Sequence, residues 1–295
     1  MRCLDRNGQE ISAYENPTGL FRFLYDCAAG RLLLGGLVRP GVSRLAGRFM
    51  DSGFSRCLIA PFIRRSGIDM SQYETGPFRC FNAFFRRRIL PGQRPETGDP
   101  AAIVSPCDGK VQVFAVDDGA QFEIKGIFYT MEQLLRSAEL AERYRGGTLM
   151  LFRLSVDDYH RYAWPADGEA TLPVRLDGVL HTVDPFAAER RPIYAENIRE
   201  YCLIETRDRG CVLMMEVGAL MVGRIVNHPV SGAVRRGEEK GYFEFGASSI
   251  LLCFEKGAVI PDADLLRNTA SGCETVVRLG ERIGTAATVP AGDTE

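Results

Sequence analysis

From residue 101 onward the chain changes texture, and that change constrains the fold more than any other feature of it. Before it, residues 17–95 read as helices, punctuated at Arg39-Pro40-Gly41, Asp51-Ser52-Gly53 and Arg65-Ser66-Gly67. The last of these helices spans 80–88 and is stopped by Pro91-Gly92. After it come β-forming apolar runs at 101–104, 110–114, 148–154, 211–217 and 249–254. Ser105-Pro106-Cys107-Asp108-Gly109 separates the first two, and Asp-Gly between apolar runs predicts a hairpin. Residues 131–143 predict one helix inside the strand-rich part. The expected class is α+β: a helical N-terminal layer, residues 1–98, followed by a mainly antiparallel β domain, residues 99–295. Residues 286–295 read as a loose tail.

A chain of 295 residues can bury roughly 75% of its unfolded surface, so it needs neither disulfide nor metal to fold. Its nine cysteines are odd in number and form no Cys-x-x-Cys pair. They read as reduced thiols of a cytosolic protein, without a zinc site. No positive stretch followed by an apolar core opens the sequence, and no apolar run approaches the ~20 residues of a membrane span. Charge, however, is uneven. Residues 17–67 hold eight arginines against Asp26 and Asp51, in a chain of net charge −2. Phe21, Phe23, Leu24, Leu32, Leu33, Leu34, Leu37, Leu45 and Phe49 interleave with them. Such a segment reads either as helix lying on an anionic bilayer or as amphipathic helix packed on the core or a partner subunit. A nucleic-acid partner is not expected.

Four places hold residues able to carry chemistry. Asp108 sits in the turn named above, where a carboxylate also serves ordinary backbone hydrogen bonding. His160 lies in Asp157-Asp158-Tyr159-His160-Arg161-Tyr162, directly after a strand, as a candidate general base or a satisfied structural histidine. His228 lies in Asn227-His228-Pro229, a strand-end turn. Ser248 lies in Gly241-Tyr242-Phe243-Glu244-Phe245-Gly246-Ala247-Ser248-Ser249, small residues between two β-forming runs. That last stretch reads either as a glycine-marked bulge or as a strained peptide bond presented to a serine hydroxyl.

Five elements in order resemble phosphatidylserine decarboxylase, closest to its shorter bacterial branch. They are Asn82-Ala83-Phe84-Phe85-Arg86-Arg87, the Ser105–Gly109 turn, Asp158-Tyr159-His160-Arg161, residues 217–223, and Arg236-Gly237-Glu238-Glu239-Lys240-Gly241-Tyr242-Phe243 leading to the cleavage site. The resemblance spans about residues 16–284. It implies a proenzyme cut between Ala247 and Ser248 into a β chain, 1–247, and an α chain, 248–295. This chain has Ala247 where the family usually has glycine. It also has Ala163 where many members carry a second histidine, taken as the base for self-cleavage.

Decarboxylating an amino acid needs an electron sink, and a ketone carbonyl condensing with the substrate amine supplies one. Serine becomes such a ketone when its hydroxyl attacks the preceding carbonyl and the amide becomes an ester. Elimination then releases the upstream chain and leaves dehydroalanine, which water converts to pyruvoyl and ammonia. The resemblance implies Ser248 as nucleophile and pyruvoyl source, Asp108 as orienting carboxylate, and His160 or His228 as base, with no metal. It also implies phosphatidylserine as substrate and peripheral attachment to an anionic membrane surface, on the cytoplasmic face of the cell membrane. A homodimer is left open. The alternatives are a pyruvoyl decarboxylase of a soluble amino acid and a non-processing homologue acting as a binding or structural module. A serine hydrolase is disfavoured, since Ser248 lacks a Gly-x-Ser-x-Gly elbow.

Overall fold

Three apolar runs of the sequence meet side by side at the centre of the molecule. In the computed structural model, which describes residues 2–13, 19–95, 97–207, 210–220 and 224–287, Ser248–Phe254 is the strand flanked by Cys211–Val217 and Thr148–Leu154. Both ladders are antiparallel, with Ser249 opposite Val217 on one side and Arg153 on the other. Every residue of Ser248–Phe254 and of Cys211–Val217 is buried, which is why neither run alternates apolar with polar. The sheet continues through Arg199–Glu205 and Gly168–Ala170 to Gly232–Val234 on one side. On the other it continues through Gly109–Ala115 and Glu274–Val277 to Arg2–Leu4 and Glu10–Ala13. Among the described residues the one parallel pairing in this sheet is Arg2–Leu4 with Glu274–Val277. The class is thus α+β, dominated by antiparallel pairing.

The helices Gly19–Asp26, Ala28–Leu37, Pro40–Asp51, Ile59–Ser66 and Phe81–Phe85 precede all the strands except Arg2–Leu4 and Glu10–Ala13. The first two make a tight corner: a Cβ on Gly30 would meet the Phe23 carbonyl oxygen at 1.8 Å, so only glycine fits there. Leu24, Tyr25, Leu34 and Val38 join the main core. Phe81, Phe84 and Phe85 form a second cluster with Met50, Ile59, Phe62 and Phe245. That aromatic cluster fastens the helices to the segment just before Ser248, with edge-on ring contacts of 5.0 Å (Phe81–Phe245) and 5.3 Å (Phe85–Phe245).

Three expectations need correction. The Asp108-Gly109 turn does not close a hairpin: Ala102–Val104 pairs with Arg282–Ala286 in a small sheet, whereas Gly109–Ala115 pairs with Thr148–Leu154 and Glu274–Val277. The turn is a corner between sheets. Residues 131–143 form two helices, Met131–Leu135 and Ala138–Arg143. Arg136 adopts left-handed backbone, φ 51°, and the Ser137 side chain caps the second helix by accepting from Leu140 N. The N-terminal part also contributes two strands to the large sheet. Most of the expected tail, residues 288–295, and Met221-Val222-Gly223 of the fourth motif lie outside the described residues.

Candidate active site

Ser248 opens the central strand, directly opposite Leu154, and is completely buried. Among the described residues its hydroxyl has no hydrogen-bond partner. The chain reaches it through a bend in which Gly246 takes φ 135°, a region that disfavours any side chain. Ala247 is not among the positive-φ residues. The strained conformation falls one residue before the expected cleavage bond, so alanine at 247 is compatible with the turn.

His160 reaches the same bend. The strand Thr148–Leu154 ends in a tight turn in which Asp158 Oδ2 accepts from Ser155 N at 2.6 Å, and Lys110 Nζ donates to Asp158 Oδ1 at 2.8 Å. Phe243 N donates to the His160 carbonyl at 2.9 Å, and the Gly246 backbone lies against the imidazole. The ring is fully buried, tilted against Phe85 with centroids 4.2 Å apart. Burial pushes its pKa down to about 3, and the nearby Arg87 and Lys110 charges add to the depression. His160 is therefore neutral at ordinary pH. Its Nδ1 lies 2.9 Å from the Asp158 carbonyl oxygen. A carbonyl can only accept, so Nδ1 carries the proton and Nε2 is left with a bare lone pair. Among the described residues Nε2 makes no hydrogen bond of ordinary geometry, and the Gly246 backbone is its nearest polar neighbour. In the tautomer with the proton on Nδ1, Nε2 can act as a general base toward a group entering from that bend.

The other two candidates stand elsewhere. Asp108 has both oxygens occupied: Arg94 Nε and Nη2 donate to them at 2.8 and 2.5 Å, and Leu279 N donates to Oδ1 at 2.9 Å. It orients no histidine in this arrangement. Ala163 explains the difference, because its strand, Arg161–Ala163, and Arg94 line the same cavity of about 230 Å³. With a methyl group at 163, no imidazole reaches Asp108 from that strand. His228 is half-buried and meets Glu239 through Nε2 at 2.9 Å; Glu239 is the residue paired across the ladder with Ala163. Glu239 also binds Arg161 at 2.7 Å, so His228 is engaged with the Glu239–Arg161 pair and not with Ser248.

Two features escaped the sequence reading. Arg94, in the loop after the helical segment, carried no motif. Lys240, inside the fifth motif, is 1% exposed and pairs with the fully buried Glu216 at 2.8 Å, with Asn227 Oδ1 at 2.7 Å. Burial pushes the Glu216 carboxyl upward in pKa, against the pull of Lys240. A lysine in an otherwise buried strand was the available signal. Among the described residues, no group of three or more His, Cys, Asp or Glu side chains is placed to hold a metal ion.

Fold and site define a class: an α+β protein with a serine and a neutral histidine brought to one bend, at the entry to the central strand, closed off from solvent. Comparison with known proteins makes this particular. The chain belongs to the phosphatidylserine decarboxylase family, whose profile matches residues 81–285. It is similar to phosphatidylserine decarboxylase proenzyme 2 of Clostridium acetobutylicum, 40% identical over 272 residues covering 92% of each chain. The phosphatidylserine decarboxylase proenzyme of Fusobacterium nucleatum is 37% identical over 272 residues, 90% of this chain and 91% of that one. That of Chlamydia muridarum is 36% identical over 269 residues, 89% of each.

Proposed function

We propose that this chain is a self-processing, pyruvoyl-dependent decarboxylase converting phosphatidylserine to phosphatidylethanolamine and CO₂. The carrying observation is that the Gly246 bend leading into the buried Ser248 lies against the neutral His160 ring, in a chain of a family whose relatives are named proenzymes. The predicted cut separates residues 1–247 from residues 248–295. Ser248 suits its role as source of the pyruvoyl group: its hydroxyl is buried and unengaged, next to the bond to be opened.

In self-cleavage His160 Nε2 takes the Ser248 hydroxyl proton as the oxygen attacks the Ala247 carbonyl. The orienting contact is the Asp158 carbonyl on Nδ1, held in turn by the Lys110–Asp158 pair. Asp108, neutralised by Arg94, anchors the corner between sheets. A base held near pKa 3 is a weak one, which suits a reaction that each molecule performs once. When formed, the pyruvoyl group supplies the electron sink for the carbanion left by CO₂. His160 is then positioned to return a proton to the substrate carbon.

Residues 1–98 are assigned as a membrane-associating region and residues 99–295 as the catalytic domain. Supporting this, the helices of residues 19–66 leave Leu32 83%, Leu45 68% and Phe54 84% exposed, in a segment that carries eight arginines against two aspartates within residues 17–67. No helix among the described residues is long and apolar enough to cross a membrane. Attachment would be peripheral, with anionic headgroups contributing about 1 kcal/mol per nearby arginine. Intact-mass measurement tests the whole reading. Two chains are expected, the smaller lighter by one ammonia than a serine-initiated fragment. A single uncut chain would favour the binding module. Decarboxylation assayed on phosphatidylserine vesicles against a panel of free amino acids separates the lipid from soluble substrates.

A further inference from the structure

The helix Pro40–Asp51 has two unlike faces. Val42, Leu45 and Phe49 lie on one and are exposed. Pro40, Arg44, Gly47, Arg48 and Asp51 recur on the other and close one side of a cavity of about 400 Å³. The β part closes the opposite side with Leu180, Ile198, Arg175, Arg224 and Glu244. Two of its four arginines are already committed: Arg224 is bound to Glu244 by two hydrogen bonds of 3.0 Å, and Arg175 meets Glu200 at 2.8 Å. Arg44 and Arg48 have no ion-pair partner among the described residues. The cavity therefore presents two solvent-exposed guanidinium groups without ion-pair partners among the described residues, facing Leu180 and Ile198 and the Arg224–Glu244 pair.

Its position ties it to the reactive bend. Glu244 stands two residues before Gly246, and its N–H donates to the Arg224 carbonyl at 3.0 Å. The neighbouring Phe245 N donates to Asn82 Oδ1 at 3.1 Å, and Asn82 Nδ2 donates to Asp51 Oδ1 at 3.0 Å. One short relay of hydrogen bonds thus joins the arginine-bearing helix to the segment that runs into Ser248.

We infer that this cavity is the binding site for the phosphodiester of a phospholipid, gripped by Arg44 and Arg48, so that the serine end of the headgroup points along the 244–247 segment toward residue 248. The inference rests on the lipid-decarboxylase reading and names its headgroup site. A phosphodiester suits two guanidinium forks because each presents paired donors to paired oxygens. A membrane-held lipid, rather than free phosphate, is the occupant because the same helix turns an apolar face outward. That face seats in the bilayer while the opposite one roofs the cavity, so acyl chains stay in the membrane as the headgroup passes beside the helix.

The test uses dihexanoyl phosphatidylserine below its micelle concentration, which removes bulk membrane charge from the comparison. Binding is followed by phosphorus NMR on the full-length parent, on Arg44→Ala/Arg48→Ala and on Arg44→Lys/Arg48→Lys, with melting temperature and intact mass recorded for each. The alanine pair should bind at least tenfold more weakly and the lysine pair should recover part of the loss. In steady-state assays the alanine pair should raise KM by a similar factor with kcat within about twofold. Both variants should self-cleave fully. Unchanged binding of the monomeric lipid by the alanine pair overturns the inference, as does inorganic phosphate binding as tightly as the lipid. If the parent remains uncut yet binds the lipid in an arginine-dependent way, the decarboxylase reading falls and the headgroup site stands.

Discussion

The helices of residues 19–66 and the strands around Ser248 solve opposite problems. The strand Ser248–Phe254 has no exposed residue and two hydrogen-bonded neighbours, whereas the helix Ile59–Ser66 has no buried residue at all. One region is complete in itself. The other leaves large apolar side chains in water, a surface that soluble proteins seldom tolerate in contiguous form. The difference teaches how each region is held: the sheet by burial on all sides, the helices by one packed face, Leu24, Tyr25, Leu34 and Val38 in the main core and Ile59 and Phe62 in the aromatic cluster, with the other face left open. It also places the Gly246 bend in the fully buried region, where the neutral His160 and the Ser248 hydroxyl are shielded from solvent.

The most severe way to break the buried region is at the hydroxyl. Ser248→Ala should abolish cleavage and activity together, leaving one chain by intact mass with an unchanged circular-dichroism spectrum. His160→Ala should slow self-cleavage about 10²- to 10⁴-fold, the usual range for loss of a general base. His228→Ala should process at the parental rate by gel densitometry; equal slowing of both would move the base to His228. A pH profile sharpens this pair. The His160 pKa is lowered to about 3, so the neutral base is already fully present at about pH 5 and does not increase toward about pH 8. The cleavage rate should therefore show no step near pH 6.5 from this group.

Next in size comes the charge pair inside the sheet. Lys240→Met should destabilise the protein by about 3–5 kcal/mol in urea denaturation, because Glu216 would be left buried and uncompensated. On the helical side the effect should reverse. Leu45→Asp/Phe49→Asp should leave the urea midpoint nearly unchanged but weaken vesicle co-sedimentation more than tenfold, each apolar side chain contributing about 1.5–3 kcal/mol when buried. Undiminished co-sedimentation would remove the membrane from the comparison. The smallest effect is expected at Ala247→Gly. Positive φ falls on Gly246, so restoring glycine at 247 should change the cleavage rate less than about threefold in a time course of band intensities.

The same contrast governs what could be read from sequence. The central strands were legible because long apolar runs of β-forming residues have few alternatives. The Asp108-Gly109 turn was legible as a turn but not as a corner, since turn chemistry says nothing about which strands pair. The break at Arg136 was hidden because left-handed backbone there is held by arginine, with no glycine to mark it. At the site, Ser248 and His160 came from ordered motifs. The partner of Asp108 did not, because an arginine 14 residues away in a loop carries no periodic signal. Gly246 was visible only as one small residue among several, and its backbone angle needed the folded bend.

The proposed cut before Ser248, at the mouth of the central strand, would have a consequence for the life of the molecule. Residues 248–295 would no longer be tethered, yet Ser248–Phe254 and Glu274–Val277 would remain threaded between strands of the longer piece. Folding is then a one-molecule event in the precursor, but regaining the fold after denaturation becomes a meeting of two molecules. The mature form should accordingly return from urea slowly and in proportion to concentration, with a midpoint that differs between unfolding and refolding. Its structure would be inherited from a precursor that no longer exists.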